Sequence, residues 1–293
     1  MLAGTFNEHK IPQALWAIEP KIDGIRVMLT ICPEKELITY QTRNGNDIPS
    51  LCLAHKLNAE IILKLMPKLK GQTIILDAEA VADRDFYKSA GKLRRKAEPA
   101  DLARLVVFDI PYWGYELRPE PYCLRRQTLE ELFTEAGLYS DDNNTPTDQA
   151  IRLVPVLDTD DTEGIIRRAP TLLDDALESG FEGVMFKDVE GYYAEGQRSK
   201  GWLKHKKIES YDCVICGYTP GKGQLEGSAG ALLVRTPWDT MVRVSAGLPL
   251  ELRQGLYDSP EKYVGLTVEL ECQEITPAGS LRHPTFVTLR TDK

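Results

Sequence analysis

Glu19-Pro20-Lys21-Ile22-Asp23-Gly24-Ile25-Arg26 is the stretch on which the reading of this chain turns. It sets a lysine at the end of an apolar strand carrying Trp16 and Ile18, beside a carboxylate, a turn glycine and an arginine. A lysine amine attacks an electrophile only when neutral, a state that desolvation and a nearby cation such as Arg26 favour. Asp23 can hold a metal ion, and Gly24 supplies the tight backbone that brings the groups together. A Lys-x-Asp-Gly tetrapeptide also arises by chance, so its weight rests on what lies downstream.

The 293 residues suffice for one large or two ordinary domains. A net charge of -8 does not suggest a nucleic-acid binder, although binding depends on local patches rather than the total. One basic patch, Arg198, Lys200, Lys204, Lys206 and Lys207, surrounds Trp202. A second, Lys92, Arg94, Arg95 and Lys96, reads as solvated surface charge. The cysteines are scattered; Cys213-x-x-Cys216 has no partner pair to complete a zinc site and lies in an apolar strand, so it reads as core. No basic start precedes a long apolar run, and no stretch approaches ~18 uninterrupted apolar residues. The expectation is a cytoplasmic protein with reduced thiols and no membrane segment.

Residues 1–207 alternate strands and helices. Ile25, Val27, Leu29 and Ile31 alternate as in a strand, and Asn44-Gly45 signals a turn. Leu57, Ile61, Leu65 and Leu69 recur every four residues, which predicts an amphipathic helix. The runs 74–81 and 105–110 predict buried strands, 121–136 a helix stopped by Gly137, 140–149 a loop, 172–179 a short helix, and 183–187 a strand. From residue 208 the texture changes to short strands (213–218, 231–235, 241–244, 267–272, 286–289) between Gly- and Pro-rich turns, with one helix at 249–256. Five strands and a helix suit a small barrel of the oligonucleotide-binding (OB) kind.

Charged residues recur at the strand ends. Asp77 and Glu79 are two apart and share a strand face, as do Lys204 and Lys206; Glu182 opens a strand that Lys187 closes; Phe108 offers an aromatic face beside Asp109. Each pair alone fits ordinary salt bridging on an exposed strand. Together they describe a cavity of cations and carboxylates around a nucleophilic lysine, suited to a polyphosphate and a divalent metal.

In order and spacing these elements resemble those of the covalent nucleotidyltransferases, and most closely the small ATP-dependent DNA ligases of phages and bacteria. The stretch 19–26 is similar to that family's first motif, and Thr42-Arg43-Asn44-Gly45 to the element after it. Leu76-Asp77-Ala78-Glu79 resembles the third motif, with Ala78 where Gly is usual. Val107-Phe108-Asp109-Ile110 resembles the motif whose aromatic stacks on adenine, and Glu182-Gly183 and Lys204-His205-Lys206 the fourth and fifth motifs. Arg290-Thr291-Asp292-Lys293 looks like the sixth, and the preceding residues 279–286 resemble the ending of compact DNA ligases.

The resemblance implies an α+β fold: a nucleotidyltransferase (adenylation) domain of antiparallel sheets flanked by helices at 1–207, then an OB-fold β-barrel at 208–293. It implies a DNA ligase that uses ATP and Mg²⁺, with Mn²⁺ as a substitute, to seal nicks in duplex DNA as a monomer, in repair, replication or recombination. Lys21 would take AMP, with Lys204 and Lys206 neutralising the α-phosphate. Glu19 would face the adenine amino group and Phe108 would stack on the ring. Arg26, Arg43, Glu79 and Lys187 would line the nucleotide, and Arg290 and Lys293 would act on the pyrophosphate. Asp23, Glu79 and Glu182 would hold the metal. With ~20 residues before Lys21 and no four-cysteine module, the expectation is a catalytic core alone. The alternatives are an RNA ligase or mRNA guanylyltransferase using the same lysine, or a catalytically silent nucleic-acid-binding protein.

Overall fold

The computed structural model describes residues 1–83, 86–139 and 148–290, without the side chains of Phe86 and Tyr87. The chain forms two compact units, Met1–His205 and Lys206–Lys293. Along the first lie β1 (Leu2–Thr5), β2 (Leu15–Lys21), β3 (Ile25–Cys32), β4 (Leu37–Thr42), α1 (Pro49–Cys52), α2 (His55–Glu60) and β5 (Ile74–Val81). There follow α3 (Phe86–Leu93), β6 (Arg104–Trp113), α4 (Tyr122–Glu135), β7 (Ile151–Leu153), β8 (Asp158–Asp161), α5 (Thr162–Glu178), β9 (Gly183–Asp188) and β10 (Arg198–Lys206). The second unit holds β11 (Glu209–Pro220), β12 (Ala229–Arg235), β13 (Met241–Val244), α6 (Leu250–Asp258), β14 (Thr267–Cys272) and β15 (Thr285–Leu289).

The first unit contains two five-stranded sheets, ordered β1-β10-β9-β2-β8 and β4-β3-β5-β6-β7. Most ladders are antiparallel; β1 with β10 and β6 with β7 run parallel. In β3 the alternating Val27, Leu29 and Ile31 are all fully buried, against α1, α2 and α4. On the other sheet Trp16, Ile18, Val184, Phe186 and Leu203 bury their face against Ile165, Ala169 and Ala176 of α5.

Several elements depart from the pattern read in the sequence. The predicted helix 57–69 starts as α2 but passes into a π-type turn at Ile61–Leu65 and a 3-10 turn at Met66–Leu69. Leu57, Ile61, Leu65 and Leu69 stay buried throughout, so the four-residue spacing reports the buried face rather than a uniform pitch. Helix α5 begins ten residues ahead of the predicted 172–179, at an Asp161 N-cap whose carboxylate accepts from the Gly164 N–H. It runs through Pro170, although an interior proline removes one backbone donor. Most of the predicted loop 140–149 lies outside the described residues.

The second unit is one antiparallel sheet, β13-β12-β11-β14-β15, closed over a core with α6. Its edge strands are joined by a single bridge, Ala246 to Thr285, rather than by a ladder, so the expected barrel is OB-like and not fully closed. Cys213 is buried in this core and Cys216 half-buried, and no metal-holding cluster exists among the described residues. No described helix is long and apolar enough to cross a membrane.

Gly24 joins β2 to β3 at a place where only glycine fits. A Cβ there would sit inside contact distance of the Ala80 carbonyl oxygen and 2.9 Å from Glu79 Cγ. Gly24→Ala should therefore push β3 from β5 and cost about 1–3 kcal/mol, as overpacking does. Thermal melting checks this; an unchanged melting temperature would show that the strands yield freely.

Candidate active site

The β2–β9 ladder builds the site. Its register sets Ala17 opposite Lys187, Glu19 opposite Met185 and Lys21 opposite Gly183. A bond from the Glu182 N–H to the Lys21 carbonyl, 2.9 Å, continues the pairing by one residue. Strand alternation then puts Glu19, Lys21 and Lys187 on one face, since Trp16 and Ile18 bury the other against α5. That face lines a cleft of about 160 Å³, whose walls include Pro20, Ile22, Arg26, Glu79, Phe108, Met185 and Trp202.

At the cleft, the Lys21 ammonium pairs with the Glu182 carboxylate. Glu79 lies opposite Arg26 in the β3–β5 ladder. Burial pushes the Glu79 carboxyl up to about 8; Lys21 opposes that, and the negative charges of Asp77 and Glu182 add to it.

A buried charge pair sits deeper. Lys187 Nζ lies 2.8 Å from Glu19 Oε2 and donates to the Phe108 carbonyl at 2.8 Å. The rings of Trp202, Tyr122 and Phe108 surround the amine at 4.5, 4.9 and 5.2 Å. Burial pushes the Lys187 amine down, opposed chiefly by Glu19. The other Glu19 oxygen accepts from the Tyr122 hydroxyl. Glu19, expected to face an adenine amino group, thus lines the cleft with both oxygens already bonded.

The remaining expected site residues are dispersed. Arg26 lines the cleft but is clamped: Nε and Nη2 bond Asp77, Nη2 also donates to the Tyr193 hydroxyl at 3.1 Å, and Nη1 donates to the Met1 carbonyl. Four of its five donors are used inside the protein. Arg43 is exposed in the turn after β4, where Gly45 takes a φ of 77° and donates to the Thr42 carbonyl, and it does not line the cleft. Lys204 alternates with Trp202 on the cleft-facing side of β10, away from Leu203 in the α5 core. Lys206 belongs to the second unit and donates to Gln273 at 2.8 Å. Arg290 reaches Glu269 at 3.2 Å. Lys293 lies outside the described residues. Of the second basic cluster, Lys92 pairs with Asp83 and Arg95 with Glu98.

For a metal ion, Glu79 and Glu182 form an all-oxygen pair of the kind Mg²⁺ takes. Burial holds the Glu79 carboxyl toward its protonated form, and a cation beside it would favour the ionised one. Asp23 does not line the cleft, and no cluster of three His, Cys, Asp or Glu side chains exists among the described residues. The donors therefore fit a hard cation with a ligand or water completing its shell.

Three supporting groups escaped the sequence reading. Arg125 of α4 makes a two-point pair with Asp109, at 2.7 and 3.0 Å, with both side chains wholly buried. Burial alone would raise the Asp109 carboxyl, but Arg125, Lys187 and the Ile110 N–H together outweigh it and hold it low. Tyr122 and Tyr193 complete the packing around Lys187 and Arg26. The only local signal was the double arginine 125–126 on an otherwise apolar helix face; aromatic side chains carry none.

The Glu79 carboxyl sets a pH dependence. Between its ordinary 4.5 and about 8, the folded protein keeps a proton that the unfolded chain releases. This group therefore lowers stability as pH rises through that window. Glu79→Gln removes the titration. In chelator-treated protein, its melting temperature relative to wild type should climb by several degrees from pH 5 to pH 8, and a pH-independent offset would contradict the assignment.

Residues 1–206 match the family model described as the ATP dependent DNA ligase domain, and residues 220–290 that of the DNA ligase OB-like domain. A DNA ligase of Halobacterium salinarum is 28% identical over 94% of this chain and 52% of its own length. One from Methanopyrus kandleri is 30% identical over 76% of this chain and 38% of its own. The chain thus spans about half, or less, of the length of these relatives. A solved Lig E DNA ligase superposes with a TM-score of 0.71, at 22% identity, over 99% of this chain and 98% of its own. The ligase domain of Mycobacterium tuberculosis LigD gives 0.53 at 23% identity, over 100% and 95%. At those identities the likeness speaks for the fold, and the profile across most of the chain speaks for the family, favouring it over RNA ligases and capping enzymes. With an adenylation-type domain followed by an OB-like one, this chain belongs to the ATP-dependent DNA ligase family.

Proposed function

We propose that this protein seals nicks between 5′-phosphate and 3′-hydroxyl ends in duplex DNA, through a Lys21–AMP intermediate formed from ATP. The observation that carries the reading is Lys21, paired with Glu182, at a cleft whose floor holds Glu19, Lys187 and the Phe108 ring. Residues 1–207 would be the adenylation domain and 208–293 the OB domain.

In the first step Lys21 Nζ attacks the α-phosphorus of ATP. The N–P bond forms, the bond to the β-phosphate oxygen breaks, and pyrophosphate leaves. Glu182 is placed to take the proton the amine gives up. Phe108 would stack on the base and Glu19 and Lys187 would meet its polar edge, while Lys204 and Lys206 would neutralise the α-phosphate. Arg26, held by Asp77, would offer its one remaining donor, and exposed Arg43 would reach in only once a ligand is bound. Arg290 and Lys293 would act on the pyrophosphate. Glu79 and Glu182, with a ligand or water in place of the expected Asp23, would hold Mg²⁺ or Mn²⁺, which supplies charge neutralisation at the phosphates. AMP then passes to the 5′-phosphate, and the 3′-hydroxyl displaces it. The free cysteines suit a reducing compartment such as the cytoplasm, and a monomer on nicked duplex DNA is the working state.

Incubation with α-labelled ATP and Mg²⁺, then with a nicked duplex, tests this. Label should attach to the protein and pass to the DNA as sealing proceeds. Lys21→Ala should reduce both to background yet seal a nick already carrying 5′-AMP within about tenfold of wild type, since the last step does not use the nucleophile. Equal loss on both substrates would give Lys21 a structural role.

A further inference from the structure

We propose that Tyr122 is a positioning residue that sets the cleft's preference for a 6-amino purine, by holding Glu19 in place beside Lys187. This rests on the adenylation reading above. Tyr122 does not line the cleft, so it acts through Glu19, which does.

The donors and acceptors can be counted. The Tyr122 hydroxyl has one proton and gives it to Glu19 Oε1. Burial and the neighbouring Glu19 charge push that hydroxyl far up, so it stays a donor. Lys187 takes Oε2 with one of its three N–H groups and the Phe108 carbonyl with another. What remains toward the cleft is spare acceptor capacity on Glu19 beside one donor on Lys187. An amino group next to a ring nitrogen meets that pair donor to acceptor and acceptor to donor. A 6-keto purine presents both polarities reversed.

The fold holds Tyr122 rigidly. It opens α4, where its own N–H donates to the Gly191 carbonyl at 3.0 Å and that of Cys123 to the Val189 carbonyl at 2.9 Å. These bonds tie the helix start to the loop following β9, the strand that carries Lys187. Without the hydroxyl, Glu19 Oε1 loses a buried donor, and the carboxylate is free to turn onto Lys187 and withdraw its acceptor from the cleft.

Tyr122→Phe deletes one oxygen and keeps the ring against Lys187. The measurement is the rate of Lys21 adduct formation with ATP, with the 6-keto analogue inosine triphosphate, and with purine riboside triphosphate, which lacks a 6-substituent. We expect the preference for ATP over both analogues to fall about tenfold, the scale of one selective hydrogen bond, with KM for ATP raised and kcat little changed. Glu19→Gln should lose the same preference, and the double variant should be no worse than Glu19→Gln alone, because the two residues act as a unit. A folding defect lowers the rates with all three triphosphates by one factor and leaves their ratios intact, so the ratio remains decisive if the variant is unstable. Unchanged ratios in Tyr122→Phe, or additive losses in the double variant, overturn the proposal. A wild-type protein that forms no adduct with any triphosphate overturns the adenylation reading as well, whereas an active wild type with unchanged variant ratios overturns this proposal alone.

Discussion

The register between β2 and β9 is the constraint on which the rest of the site depends. Side chains alternate across a strand, so a one-residue slip would turn Glu19 and Lys21 into the α5 core and bring Trp16 and Ile18 out to the cleft. Burying those four apolar side chains on the α5 face, Trp16, Ile18, Val184 and Phe186, favours one register at roughly 1.5–3 kcal/mol for each large side chain. The slipped register would also bury two charges in hydrocarbon. Hydrophobic packing on one face thereby determines the electrostatics of the other, without any charged residue having to find its partner first.

The cleft is supported by three ion pairs that are shielded from water to differing degrees: Glu19 with Lys187, Asp109 with Arg125, and Asp77 with Arg26. Such pairs do not by themselves argue for stability, since desolvation offsets much of their attraction, but each is costly to break from one side. Their geometry matches that asymmetry. Arg125 uses both forks on Asp109 and spends further donors on the carbonyls of Glu120 and Gly191. Asp77 accepts from Arg26 and from Tyr193. Each buried carboxylate is thus met from more than one side, which leaves the cleft walls few alternative arrangements.

Glu79 is the exception. Burial raises its carboxyl, the charges of Asp77 and Glu182 add to that, and Lys21 and Arg26 offset it only in part. A carboxyl that burial holds in its protonated form is set to ionise when a cation arrives with a phosphate ligand, and that is where stability and binding pull in opposite directions.

The sequence by itself determined the local elements and the family. Alternation in β3 and the charged residues within each motif depend on neighbours within a few positions and were legible as such, while the four-residue spacing of Leu57 to Leu69 gave the buried face but not the helix type. It also placed Lys21 at the end of one strand and Glu182 and Lys187 at the two ends of another, whereas Glu79 and Phe108, expected at strand ends, lie inside the longer β5 and β6. Only the tertiary structure decided which of them meet. Lys21 and Glu182 are 161 positions apart, and Tyr122 and Glu19 are 103. No short-range pattern encodes a contact over such separations. The same holds for the occupied state of Arg26 and Glu19: a motif names a charged residue, but whether its donors face a ligand or a buried neighbour depends on what the rest of the chain packs beside it. Arg43 stayed outside the cleft for a related reason, since the turn that carries it is shaped by its own backbone bonds and not by the cleft walls.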